Sequence, residues 1–231
     1  MDQGSSEDIT RAYWQRNIEA FGKFYADISE EEFDSPSWVS FFYKKLILPH
    51  EKRLMKVRYE RTISFIDRFV KSGMTAVDVG CGTGLFTVEM LRRGARVIAV
   101  DYAENALKLT RSMVKSSVSD LEGKVEYLLL DVTERPLPKS DVSIALGVTP
   151  YIHNLEAFLA NILTTTERFY CLYLDRRHWA NRLRVLLPLL NVRRVRFFDS
   201  TQVDRILAFH HFCLVDREPF ATGFLDHVYK L

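Results

Sequence analysis

Residues 77–84, VDVGCGTG, set a glycine at every second position behind an apolar run that holds one acid. Glycine weakens regular structure, so this alternation marks a turn where backbone must bend sharply or let a ligand come close. The neighbours restrict the ligand. A dinucleotide fingerprint that starts at Gly80 needs a glycine at position 85, which is Leu85. A phosphate-binding loop needs Gly-Lys-Ser/Thr, and none follows. Asp78, two residues before the first glycine, would repel a pyrophosphate and suits a cationic amine. Two more acids, Asp101 and Asp131, end the apolar runs VIAVD and EYLLLD. Taken singly, the glycines could only shape a turn, Asp101 could cap the helix starting at AENAL, and Asp131 could cap a loop turn.

The elements that must position these residues alternate along the chain. MTAVDVG, ARVIAVD, VEYLLLD, SDVSIALG and RFYCLYLD read as strands; LFTVEMLRR, NALKLTRSMVKSS and NLEAFLANIL read as helices between them. The strand runs are continuously apolar, which suits parallel strands covered on both faces. Strand–helix alternation predicts a doubly wound α/β sheet whose ligands sit at the carboxyl ends of the strands. STQVDRILAFHH reads as a last helix, and FCLVDREPFA with FLDHVYKL as two closing strands able to form an antiparallel edge hairpin. Val57, Ile63, Phe65, Ile66, Phe69 and Val70 form a helical stripe ahead of the first strand, and Gly73 closes that helix.

The ordered set of strand-end residues resembles class I S-adenosylmethionine-dependent methyltransferases, from about residue 58 to 231. The acid-x-Gly-x-Gly-x-Gly pattern of Asp78, Gly80, Gly82 and Gly84 is similar to that family's first motif, and Cys81 lies within it as a small filler. The resemblance implies a mostly parallel seven-stranded Rossmann-like sheet with an antiparallel edge hairpin, and S-adenosyl-L-methionine as cofactor. It implies that Asp78 acts on the ammonium, Asp101 on both ribose hydroxyls, Tyr102 on the adenine face, and Asp131 with the Val132 N–H on the adenine edge. Gly147 matches a position lining the methionine end. The domain expectation is a helical cap or lid over 1–56, then the methyltransferase domain over 57–231 with a basic amphipathic insertion at 176–198.

Methyl transfer requires a nucleophile held in line with the S–CH₃ bond. A hydroxyl nucleophile also needs a base. GVTPYIHN, after the fourth strand, offers Thr149, Tyr151 and His153; LDRRHW, after the fifth, offers His178. A histidine titrates near neutrality, so His153 and His178 are candidate bases. The bland alternatives are a helix support for His153 and a pocket wall for Tyr151. No constellation has metal-ligand spacing, so no metal is expected. Motifs of nucleic-acid amino, cytosine-5 and protein arginine methyltransferases are missing after strand four. The resemblance therefore points to the small-molecule branch and to O-methylation, with N-methylation or a silent binding protein as alternatives and no nucleic-acid partner. A nucleotide-dependent oxidoreductase is the rival enzyme class, opposed by Leu85 and Asp78.

Residues 176–196 hold seven arginines and no acid, with leucines between them. They read as a lid over the acceptor, as a surface for an anionic or lipid-linked partner, or as a solvated arginine face. Tyr13, Trp14, Phe21, Phe24, Tyr25, Trp38, Phe41, Phe42 and Tyr43 crowd the N-terminal segment, as an aromatic lid or as a packed helical layer. The 231 residues suffice for one sizeable domain, and a net charge of +2 makes no case for nucleic acid or membrane. No apolar run approaches the length of a membrane span or a signal peptide. The three cysteines lack paired spacing, so a cytoplasmic chain with reduced thiols is expected.

Overall fold

A computed structural model describes residues 48–186 and 195–231, with side chains from 52 onward. Most of the expected lid, with its aromatic residues, and positions 187–194 of the basic span lie outside the described residues.

The described strands are β1 (Thr75–Val79), β2 (Arg96–Asp101), β3 (Val125–Leu129), β4 (Ser140–Ala145), β5 (Thr166–Leu174), β6 (Phe212–Phe220) and β7 (Gly223–Lys230). They form one sheet in the order β3-β2-β1-β4-β5-β7-β6. β1 to β5 are parallel, and β7 runs antiparallel to both β5 and β6. The expected doubly wound sheet and closing hairpin are therefore present. Composition explains the order. Ala76, Val77 and Val79 of central β1 are buried on both faces, whereas edge strand β6 exposes Leu214 and Val215.

The described α-helices are α1 (Leu48–Phe69), α2 (Leu85–Arg92), α3 (Glu104–Ser117), α4 (Leu155–Leu163), α5 (Trp179–Leu186) and α6 (Ser200–Phe209). On one face, Phe65 and Ile66 of α1 pack with Phe86, Met90 and Leu91 of α2 and Val114 of α3. On the other, Phe158, Leu159 and Ile162 of α4 meet Val203 and Leu207 of α6. α4 starts where the Asn154 side chain accepts the Ala157 N–H at 3.0 Å, and α6 where Asp199 accepts the Thr201 N–H at 2.9 Å. α1 runs unbroken across 56 and 57, so a domain division placed there passes through a helix.

The span 176–198 is pinned at its root. The Arg176 N–H donates to the Phe198 carbonyl at 2.9 Å, and the Phe198 N–H to the Leu174 carbonyl at 2.8 Å. The Arg196 N–H reaches the Pro150 carbonyl at 2.8 Å. The excursion therefore leaves and rejoins the sheet at the carboxyl end of β5, beside the Thr149–Tyr151 turn that follows β4.

Candidate active site

β1 and β2 run in register, with Asp78 opposite Ala99 and Val79 opposite Val100. The glycine turn folds back over β2. The Gly80 and Cys81 N–H groups both donate to the Val100 carbonyl, at 2.8 and 3.1 Å. The Gly82 N–H donates to Asp101 Oδ2 at 3.2 Å, and the Gly84 N–H to the Cys81 carbonyl at 2.8 Å. Of the five amides from 80 to 84, Thr83 alone has no partner among the described residues. A turn whose amides point inward is a poor cradle for phosphate.

Two glycines make that turn possible. Gly80 has φ +68°, and a Cβ there would overlap the Val148 Cγ2 methyl after β4. Gly84 has φ +84°, and a Cβ there would lie 2.9 Å from the Thr110 Cα of α3. The first lets β1 and β4 end side by side; the second seats α2 against α3.

Two buried carboxyls lie at the ends of β1 and β2. Asp78 is buried, and its Oδ2 accepts the Thr87 hydroxyl at 2.7 Å. Burial pushes its carboxyl up to about 6, with the nearby Asp101 adding to the rise. Asp101 is also buried; Oδ1 accepts the Ala103 N–H at 2.9 Å while Oδ2 takes Gly82. Burial raises it to about 6 as well. Asp101 braces the turn and does not cap α3, whose first residue follows Ala103 with no side-chain cap. Asp131 closes a local turn, with Oδ1 accepting both the Thr133 N–H (2.9 Å) and hydroxyl (2.7 Å). Val132 is buried, and its carbonyl accepts Asn161 Nδ2 at 2.7 Å. Tyr102 is half-buried beside Asp101. Cys81 is buried, its Sγ accepts the Thr110 hydroxyl at 3.3 Å, and burial holds its thiol protonated far above neutrality.

The two carboxyls give the site a pH signature. Each has a folded pKa near 6, above the ordinary value of about 4. The folded state therefore holds these protons more tightly than the unfolded one. Stability of the ligand-free chain is expected to fall as pH rises from about 4 to about 6, then to level off. Affinity for a cationic, donor-rich ligand should run the other way, dropping up to roughly tenfold per carboxyl for each unit below pH 6. Urea titrations and calorimetry across that range check both slopes; parallel slopes would refute the assignment.

Arg58 of α1, which sequence reading passed over, lies at the end of β4. A Cβ on Gly147 would come within 3.1 Å of its Nη1. Burial lowers its guanidinium to about 10, and Tyr151 lies close enough to raise it partly back. Gly147, Tyr151 and Arg58 thus meet at the end of β4. The only signal in the sequence is an arginine between Val57 and Ile63 of the apolar stripe, which reads as an ordinary solvated position.

The two candidate histidines are both engaged at Nδ1. Arg196 Nη2 donates to His153 Nδ1; a guanidinium cannot accept, so His153 holds its proton at Nε2. His178 Nδ1 accepts the Ala180 N–H at 3.3 Å, at the start of α5. Thr149 is buried and donates its hydroxyl to the Leu172 carbonyl. Among the described residues there is no cluster of three or more His, Cys, Asp or Glu side chains able to hold a metal.

The sheet order and the strand-end glycines and acids agree with the resemblance to class I S-adenosylmethionine-dependent methyltransferases. Residues 77–168 match the family model described as "Methyltransferase domain". The magnesium-protoporphyrin O-methyltransferase of Rhodobacter capsulatus is 36% identical over 80 residues, covering 35% of this chain and 34% of that protein. The ribosomal protein L11 methyltransferase of Thermotoga maritima is 36% identical over 72 residues, covering 31% of this chain and 27% of that protein. The aligned stretch spans about a third or less of these relatives' length. The crystal structure of magnesium protoporphyrin IX methyltransferase from Synechocystis PCC 6803 with bound SAH superposes with a TM-score of 0.77. It is 13% identical and covers 97% of this chain and 99% of that one, which establishes the shared fold.

Proposed function

We propose that the chain transfers a methyl group from S-adenosyl-L-methionine to a small-molecule acceptor, by O-methylation. One observation carries the reading: two buried carboxyls, Asp78 and Asp101, face a turn whose amides point inward. That arrangement fits a ligand rich in hydroxyl donors and bearing a cation, and does not fit a pyrophosphate. When bound, S-adenosyl-L-methionine supplies an electrophilic methyl group on a sulfonium.

The chain's own residues would then bind and orient. Asp101 accepts from the ribose hydroxyls, Asp78 balances the ammonium, and Asp131 with the Val132 N–H reads the adenine edge against Tyr102. Gly80, Cys81, Gly82, Gly84 and Gly147 leave room for backbone approach. Arg58 lies beside Gly147, at the end of β4. Tyr151 walls the acceptor side. His153 presents Nε2–H and accepts a proton only once Arg196 releases Nδ1, while His178 caps the start of α5. The acceptor is proposed to be anionic or lipid-linked, in keeping with the arginines after β5. A cytoplasmic location belongs to the same proposal; Cys81, Cys171 and Cys213 are free. Among the described residues no helix is long and apolar enough to cross a membrane.

The engaged Nδ1 atoms favour a second reading: transfer to an amine, which needs less help from a base, or binding without turnover. Calorimetry with S-adenosylhomocysteine against NADH tests the cofactor class, and tight NADH binding would sink it. Labelled-methyl transfer across a panel of hydroxyl, carboxyl and amine acceptors tests turnover. His153→Ala is expected to lower turnover about 10- to 100-fold with cofactor affinity unchanged, and Arg196→Gln to shift the pH–rate profile. Equal turnover in the His153 variant removes it from the chemistry.

A further inference from the structure

Helix α5 wears its apolar side outward. Its one fully buried residue is Asn181, whose Nδ2 donates to the Asp175 and Thr222 carbonyls at 2.7 Å each. At 100° per residue, Trp179, Leu183 and Leu186 fall on the face opposite Asn181, with Arg182 at its border. Trp179 is 73% exposed, Leu183 42% and Leu186 76%. A helix of a globular domain ordinarily turns such a stripe into the core and its polar side to water. Here a polar side chain anchors the helix and the hydrophobic face stands in solvent.

The charge along this segment has one sign. No Asp or Glu occurs from 176 to 198. Arg177 pairs with Asp199, and Arg184 Nη1 donates to Asn181 Oδ1. Arg176 and Arg182 are exposed and have no carboxylate partner among the described residues. The hydrogen bonds of Arg176 to Phe198 and of Arg196 to Pro150 fix this excursion beside the carboxyl ends of β4 and β5.

We propose that this face of α5 docks on an anionic lipid surface. The occupant must accept a tryptophan and two leucines at one level and guanidinium groups beside them. A lipid interface offers acyl chains below and phosphates above in that arrangement. With so small an apolar area the contact is reversible and weakened by salt. Docking would turn the carboxyl ends of the strands toward the bilayer. The inference goes beyond the proposed methyl transfer and does not need it.

The test is flotation of the full chain, without cofactor or acceptor, with phosphatidylcholine vesicles and with vesicles carrying about a third phosphatidylglycerol. The chain should float with the anionic vesicles only, and less in high salt. Trp179→Ser with Leu183→Ser and Leu186→Ser should reduce partitioning roughly tenfold or more, and so should Arg176→Gln with Arg182→Gln. These side chains are exposed or face away from the core, and circular dichroism confirms that the variants fold. No flotation of the wild type, or flotation that neither variant changes, overturns the proposal. A dimer in sedimentation that the serine variant dissolves would instead assign the face to a second copy. Faster proteolysis of the N-terminal segment in that variant would assign the face to the chain itself. Either result overturns the lipid proposal, and flotation without cofactor or acceptor reads it apart from methyl transfer.

Discussion

With Asp101 replaced by alanine, S-adenosylhomocysteine is expected to bind about 1.5–3 kcal/mol more weakly, a factor of roughly ten to a hundred and fifty. Two losses combine. The carboxylate would no longer accept charge-assisted bonds from the ligand. It would also no longer hold the Gly82 and Ala103 N–H groups, so the glycine turn and the β2–α3 turn lose their common brace. Global stability should move less than affinity, because the variant also removes a carboxyl that burial already disfavours as an anion. The fall in stability between about pH 4 and 6 should become shallower for the same reason. Calorimetry near neutral pH reads the affinity and urea titration reads the stability. Unchanged affinity would remove Asp101 from the ligand site.

Gly80→Ala should destabilise the fold by about 2–4 kcal/mol and abolish measurable cofactor binding. A left-handed dihedral costs an L-residue roughly 1–2 kcal/mol, and the new methyl would overlap Val148, which packs against the core. The two causes can be separated. In a chain that also carries Val148→Ala, the overlap disappears and the dihedral cost remains. The double variant should therefore be more stable than the sum of the single changes predicts, by about 1 kcal/mol or more. Simple additivity would show that the β1 and β4 ends do not press on each other.

The contrast between these residues and the rest shows what the sequence makes legible. The strands carry continuous apolar runs, so their places along the chain and the glycine turn after β1 could be read directly. The closing hairpin could be read too, because it lies between clear turn signals. Arg58 could not. Its place depends on the angle at which α1 crosses the sheet, and no local pattern encodes that. Nor could the tautomers of His153 and His178 be read, since their Nδ1 atoms meet donors no pattern announces, Arg196 from another segment and the Ala180 amide within a new helix. The basic span looked like an amphipathic helix, but which side faced inward was decided by one hydrogen-bonded Asn181 and by a one-residue bridge from Asp175 to Phe198. Such tertiary closures leave no periodicity.

The seating of β7 between β5 and β6 bears on how the chain is made. The strand synthesised last of the seven fills an interior slot, and β6 joins the sheet only through it. While residues up to about 220 have emerged from a ribosome, β5 still shows a bare hydrogen-bonding rim and β6 has nowhere to dock. Such a rim recruits strands from other chains. Nascent chains stalled at that point should therefore be the form most inclined to aggregate and most in need of a chaperone.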